Sequence, residues 1–232
     1  TLDAAQKQAN QTQLNNILSS IDRVSSNTQF GSLKQLNGSA GTNASVIAGA
    51  TFSKASFGGN FGTGSISANG TAAVQVTTVA ETANVTGTIA YTAATSAVNA
   101  GSFSLNGRTF TVGAGATRDS VLAQINAASE ETGVTASLSG NAFRFDSVAY
   151  GSSARVDLVD TNGLFAAAGA SSDTGVNAVA SVTLSGQTVT FNQGSGLELR
   201  DTNGNSITLT AAGNVAATTA NAVRVNAGAS TF

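Results

Sequence analysis

Three segments carry residue types that could hold an ion or a phosphate, and in each the spacing is wrong. Asp201-Thr202-Asn203-Gly204-Asn205 has the oxygen-rich opening of a calcium loop. Such a loop needs glycine at its sixth position and a bidentate glutamate at its twelfth. Ser206 takes the glycine's place and no glutamate follows, so the segment reads as a type I turn closed by a left-handed Gly204. Gly58-Gly59-Asn60-Phe61-Gly62-Thr63-Gly64 is glycine-dense, but no Lys-Ser/Thr pair follows to hold phosphates, and it reads as a surface loop. Gly113-Ala114-Gly115-Ala116-Thr117-Arg118 precedes a predicted helix start, where an anion can dock, but lacks a third glycine. A strand-to-helix connection accounts for it.

Hydrolytic chemistry is equally poorly supplied. The chain contains no His and no Cys, which removes the usual general base near neutral pH, the thiolate nucleophile and the commonest metal ligands. A Ser–Lys dyad would have to use Lys7, Lys34 or Lys54, none in a recognisable motif. Asp157 and Asp160 fall at a strand end and turn, and Glu130-Glu131 close a helix at its electrostatically unfavourable end. The expectation is a protein that is not an enzyme, with no cofactor and no metal. Ten basic against twelve acidic side chains leave a net charge of −2, with no basic face for nucleic acid or an anionic membrane. No run of about 18 apolar residues spans a bilayer, and no signal peptide is visible. Sequons at Asn43, Asn69 and Asn84 are what chance produces in a chain this rich in Asn, Ser and Thr.

The elements that would position any site change character along the chain. Residues 1–26 read as a helix, with Asp3 and Gln6 as a capping-box-like pair. Leu14, Ile17, Ile21 and Val24 recur at spacings of three, four and three, Leu18 widens the stripe, and the period is lost at Ser25. From Asn37 the composition turns to Gly, Ser, Thr, Ala and Asn. Short alternating runs at 73–79, 85–91, 102–105, 108–112, 134–138, 143–146, 155–159, 181–184, 188–191 and 206–209 then read as strands. Asn106-Gly107, Gly140-Asn141 and Ser185-Gly186 are hairpin turns between them. A second helix is expected over 118–131, capped by Thr117 and stopped by Gly133, with Val121, Leu122, Ile125 and Ala128 on one face. The cores should be thin and alanine-rich, without a large aromatic nucleus. The hairpin 102–112 can be laid on 181–191, and Asp-Thr-Asn-Gly occurs at both 160–163 and 201–204.

Two segments carry a family resemblance. Ile21, Asp22, Arg23, Val24, Thr28, Phe30 and Leu36 resemble the end of a long helix in the filament-wall domain of bacterial flagellins, with Phe30-Gly31-Ser32 where that family has Phe-Asn-Gly. The stretch 101–159 looks like the "hook IN" motif of flagellin and hook-associated proteins, through Leu105-Asn106-Gly107, Ile125-Asn126, Gly133-Val134-Thr135-Ala136 and the strand at Phe143. The resemblance implies an α+β chain: an N-terminal helix stub of the wall domain, then β-rich outer domains of antiparallel hairpins that include one β-hairpin/helix/β-hairpin unit. Its divisions would be 1–40 with 227–232 as a returning strand, 41–100 with 160–226 as a variable outer domain, and 101–159 as the hook IN unit. Ser39 and Ala229 would then lie within roughly 20 Å, a few strand spacings. The chain would be the central piece of a secreted, extracellular filament subunit whose packing face is Leu14, Ile17, Leu18, Ile21 and Val24. Implied partners are other flagellin subunits, an export chaperone and hook-associated proteins. O-linked sugars on exposed Ser and Thr would also fit. The alternatives are a hook-associated junction or cap protein, and a carbohydrate-binding adhesin domain that stacks sugars on Tyr91, Tyr150 or the cluster Phe52, Phe57 and Phe61. The favoured reading of those aromatics is as core or hydrophobic anchor residues.

Overall fold

A computed structural model of the protein describes residues 4–27, 29–30, 33–34, 41–166 and 168–228. The helix α1 (Ala4–Asn27) comes first, followed by the short pair β1 (Gln29–Phe30) and β2 (Leu33–Lys34). Asp3, the expected cap of α1, lies outside the described residues. Every strand pairing after α1 is antiparallel among the described residues, so the α+β reading stands.

The β-rich part has two hydrophobic cores, the second inserted into the first. β3 (Asn43–Val46), β4 (Phe52–Ser56), β5 (Asn60–Phe61), β6 (Gly64–Ser65) and β7 (Gly70–Thr78) open the first core. The chain then leaves for β8 (Thr82–Ala90), β9 (Gly101–Leu105), β10 (Arg108–Val112), α2 (Arg118–Asn126), α3 (Ser129–Thr132), β11 (Val134–Ser139), β12 (Ala142–Tyr150), β13 (Arg155–Asp160) and β14 (Gly169–Thr174). It returns as β15 (Val179–Leu184), β16 (Gln187–Phe191), β17 (Glu198–Arg200), β18 (Ser206–Leu209) and β19 (Thr218–Asn226). The outgoing β7 and returning β15 are neighbours, paired from Val179 with Thr78 to Thr183 with Ala73.

In the first core a five-stranded sheet, ordered β16-β15-β7-β19-β3, faces the three-stranded β17-β18-β4. Alternation decides what is buried: Val74, Val76, Ala180, Val182, Val223 and Val225 point inward and meet Phe52, Leu199, Ile207 and Leu209. The second core lies between the sheet β10-β9-β13-β14 and the sheet β11-β12-β8, with α2 laid against it through Val121 and Ile125.

Hydrophobic packing runs across the expected divisions. The unit at 101–159 sits inside a larger core that also takes Ala83, Tyr91 and Val98 from before it and Leu164 and Phe165 from after it. The physical reason is that the two hairpins belong to different sheets and cannot close on each other alone. β8 completes one sheet and β14 the other. The expected absence of an aromatic nucleus is also overturned. Phe165 meets Phe103 at 4.8 Å and Phe145 at 5.1 Å between ring centroids, both near edge-to-face, and Phe143 at 4.8 Å. Phe103 stacks on Phe110 at 5.0 Å, and Tyr91 stands edge-on to Phe143 at 5.5 Å. Few aromatics are present, but long-range folding gathers them.

The local signals settle as follows. Asn106 and Gly107 both have positive φ, as do Ser185 and Gly186, the geometry of type I′ hairpin turns; Gly140 alone is positive in its turn, as in type II′. The helix expected over 118–131 is broken in two at Ala127–Ala128, where the Ala128 backbone leaves the helical region at φ −103° and ψ 10°. The Thr117 hydroxyl accepts from the Ser120 amide at its start, and Gly133 ends α3 in the left-handed region at φ 68°. Ser39 and Ala229 lie outside the described residues. Close to them in sequence, Asn43 and Asn226 are cross-strand partners, and the Asn226 side-chain amide donates to the Asn43 side-chain oxygen at 3.0 Å.

Candidate assembly face

The α1 sequence favours helix throughout: Ala, Gln, Lys, Leu and Ile dominate residues 4–21, with no Gly or Pro. Its polar side is knitted along the axis. The Gln11 amide donates to Asn15 Oδ1 at 3.1 Å, and the Thr12 and Ser20 hydroxyls each donate to the carbonyl four residues back, at 2.9 Å. On the other side, Leu14, Ile17, Leu18 and Ile21 are 50%, 57%, 50% and 57% exposed. At 100° per residue these four fall within roughly a third of the helix circumference and cover about 10 Å of its axis. No described residue covers them. The side chains of Asp22, Val24 and Phe30, and the whole of Leu36, lie outside what is described, while Arg23 is exposed.

A helix surface of this kind is costly to leave in water. Full burial of one Leu or Ile side chain stabilises by about 1.5–3 kcal/mol, and four lie side by side here. Scattered exposed aliphatics are ordinary, but a contiguous stripe is what an interface presents.

The motif residues of 101–159 have scaffolding roles that the bonding makes explicit. Asn106 is held in the left-handed region while its side-chain amide donates to the carbonyls of Thr132 and Arg155, at 2.8 and 2.9 Å. Its Oδ1 accepts from the Asp157 amide at 2.7 Å. One side chain therefore ties the β9–β10 turn to the end of α3 and to β13. Gly107 supplies the second positive φ of that turn. Asn126 acts as a surrogate strand: its amide donates to the Ala136 carbonyl at 2.9 Å and its oxygen accepts from the Ala136 N–H at 2.7 Å. Ile125 and Val134 are fully buried in the second core, and Gly133 is the turn between them.

Sequence reasoning passed over other asparagines that do the same work. Asn214 brackets Ala80, accepting from its N–H at 2.8 Å and donating to its carbonyl at 2.7 Å. Asn205 is fully buried, donates to the Asn60 carbonyl at 2.9 Å and to Asp201, and accepts from the Gly58 amide at 2.8 Å. The usable signal is a lone Asn among small residues outside any Asn-Gly turn, and it is weak in a chain with so many.

The residues singled out for chemistry are occupied structurally. Asp160 and Asp201, each 2% exposed, open the two Asp-Thr-Asn-Gly copies. The Asp160 carboxylate accepts from the Leu164 and Phe165 amides at 2.9 and 2.7 Å; Asp201 Oδ1 accepts from the Asn203 and Asn205 amides at 2.9 Å. Both are turn-closing carboxylates satisfied by backbone N–H groups. No group of three or more metal-ligating side chains exists among the described residues. The 58–64 glycines form the β5–β6 hairpin region, and the 113–118 segment is a β-to-α connection whose Arg118 donates to the Tyr91 carbonyl. Glu131 pairs with Arg108, and Asp157 with Arg155. Burial, and secondarily the charge of Asp160, raise the pKa of the Tyr91 phenol above its ordinary 10.0. Hydrogen bonds to Asp146 and Asp157 raise those of Arg144 and Arg155. Phe52, Phe57, Phe61 and Tyr91, the proposed sugar platforms, are core residues, and Tyr150 is half-buried against the first core. No helix among the described residues is long and apolar enough to cross a membrane.

No family model matches the chain. No curated protein sequence matches it significantly. Among solved structures it is similar to the flagellar cap protein FliD of Bdellovibrio bacteriovorus, at 18% identity and a TM-score of 0.41, covering 67% of this chain and 91% of that one. It is similar to the D2-D3 domains of the flagellar cap protein FliD from Escherichia coli, at 15% identity and a TM-score of 0.45, covering 81% and 98%. A third is FliD (HAP2) of Pseudomonas aeruginosa PAO1, at 18% identity and a TM-score of 0.40, covering 78% and 84%. Similarity at this level assigns neither a family nor an activity.

Proposed function

We propose that this chain is a structural component of the bacterial flagellum that works outside the cell and assembles through α1. The observation that carries the reading is the stripe Leu14, Ile17, Leu18 and Ile21, half or more exposed on a helix that no described part of the chain covers. A partner helix against that stripe would complete a coiled-coil-like seam. The β-rich part, with its exposed Ser, Thr and Asn, would face solvent and set surface character. Other subunits of the same polymer, an export chaperone and hook-associated proteins are the partners this reading entails. No catalytic step is assigned.

Two finer readings differ in where the protein sits. The segment from Ile21 to Leu36 supports a filament subunit. The hook-associated cap reading agrees with the three similar solved structures, which are of flagellar cap proteins, and needs no filament-specific motif. Gold-labelled antibody against residues 41–228, applied to cells of the source organism, separates the two. Label along the whole filament supports the subunit reading, and label confined to the tip supports the cap reading. Unlabelled flagella overturn both. Replacing Ile17 or Ile21 with Asp in the full-length protein should abolish assembly, because a charge would enter the buried seam. Normal assembly by both variants would remove α1 from the interface.

A further inference from the structure

We infer that the two cores are clasped into one rigid body at the crossing between them, so that the β-rich part moves as a unit whatever α1 does. Two chain segments cross, at residues 79–82 outgoing and 174–178 returning. Two strands side by side would by themselves permit bending, since their only mutual pairing is the isolated bridge of Glu81 with Val176, at 2.9 and 3.1 Å. Three further contacts lock that bridge.

The first is a backbone graft from the second core. The Gly151 amide donates to the Glu81 carbonyl at 3.0 Å, and the Gly175 amide donates to the Ala154 carbonyl at 3.0 Å, so the loop after β12 is bonded to both crossing segments. The second is Asn177. Its Oδ1 accepts from the Ser152 amide at 2.8 Å and from the Gly196 amide at 2.9 Å, while its amide donates to the Ser152 hydroxyl at 2.9 Å. Ser152 belongs to the loop of the second core and Gly196 to a loop of the first, so one side chain on the crossing holds both. The third is steric. A Cβ on Gly151 would lie 2.4 Å from the Gly196 nitrogen, and a Cβ on Gly175 would lie 2.3 Å from the Glu81 carbonyl oxygen and 2.6 Å from that of Gly151. Backbone from four segments therefore meets with room for no side chain but that of Asn177, an approach that glycine permits.

The clasp continues into the hydrophobic packing. Tyr150 ends β12 of the second core's sheet, yet its side chain packs against the first core. Asn214, in the connection between β18 and β19 of the first core, brackets Ala80 at the start of the crossing. Ordinary inter-domain linkers are exposed segments with few contacts across them, and relative motion is their default. Here the joint is held by backbone bonds, a bridging amide and interlocked glycines, which leaves no free dihedral to act as a hinge.

The absence of cysteine makes the test clean, because introduced pairs are the only thiols. Spin labels at Thr190→Cys and Thr135→Cys, both exposed and one on each core, report the distance across the joint by pulsed electron resonance. Labels at Thr109→Cys and Thr135→Cys report distance within the second core alone. A cross-joint distribution as narrow as the internal one is the expected result; a broad or multiple distribution in the otherwise unaltered chain overturns the inference. Adding Asn177→Ala, and separately Gly175→Ala, should cost the cross-joint pair its single narrow peak while the internal pair keeps its own. If both variants preserve the internal peak and the cross-joint peak alike, the clasp is not what holds the cores, and the inference fails.

Discussion

The two longer helices of this chain carry the same periodic signal and meet opposite fates. In α2, Val121 and Ile125 are fully buried, with Leu122 partly so, against strands of the second core. In α1, four larger aliphatics in an equivalent stripe stand half or more exposed. Periodicity therefore reports that a helix has a partner, without reporting where the partner is. For α2 one partner lies close along the chain in β11, where Asn126 clasps Ala136 ten residues on. For α1 none of the described residues serves, and a partner from another subunit is what the proposed assembly role would supply.

The contrast can be broken or sharpened by substitution. The largest effect is expected in the aromatic nucleus behind α2. Phe165→Ala removes a ring that touches three others, and should cost about 3–5 kcal/mol in urea unfolding of the chain. Ile125→Ala should follow at about 2–5 kcal/mol, whereas Ile17→Ala on α1 should stay within about 0.5 kcal/mol of the parent. Equal costs for the two isoleucines would end the contrast. Asn126→Ala should cost about 1–3 kcal/mol, since the Ala136 N–H and carbonyl lose their partner, and should speed hydrogen exchange at Ala136. The smallest effect is a pH dependence peculiar to the second core. The Tyr91 pKa is raised in the folded state, so its neutral form is the one folding favours. The stability it contributes is complete below the ordinary value of 10.0 and is lost as pH rises above it toward the folded value. Tyr91→Phe should flatten that alkaline decline in thermal unfolding, and an unchanged slope would remove Tyr91 as its source.

Local chemistry was well legible in the residues. Thr117 and Gly133 mark the ends of the α2–α3 region, and Asn106-Gly107 and Ser185-Gly186 mark hairpins with positive φ at both positions. These signals are strong because each rests on a backbone conformation that few residue types tolerate. The α2–α3 break was not legible: it falls at Ala127 and Ala128, the residue type that favours helix most. Nor was the extent of the second core. Leu164 and Phe165 follow a turn and lie in no alternating run, so nothing local says that Phe165 will stand among Phe103, Phe143 and Phe145. The turn at 201–204 was legible in its Asp-Thr-Asn-Gly order, and only the fold showed that Asp160 and Asp201 are both buried and satisfied by backbone amides.

By itself the amino-acid order determined α1, the ends of the α2–α3 region, ten of the strands and three hairpin turns, because those follow from steric limits and periodicity within a few residues; β3, β4, β14, β17 and β19 lie in no run read as a strand. It also determined that no fold of this chain can present an imidazole or a thiolate, since it has no His and no Cys. The tertiary structure alone decided which strands share a core, that the second core is inserted into the first beside β7 and β15, and that Asn177 and three glycines join them. Those outcomes depend on contacts between residues far apart in the chain, whose energies exist only once loop closure has brought them together.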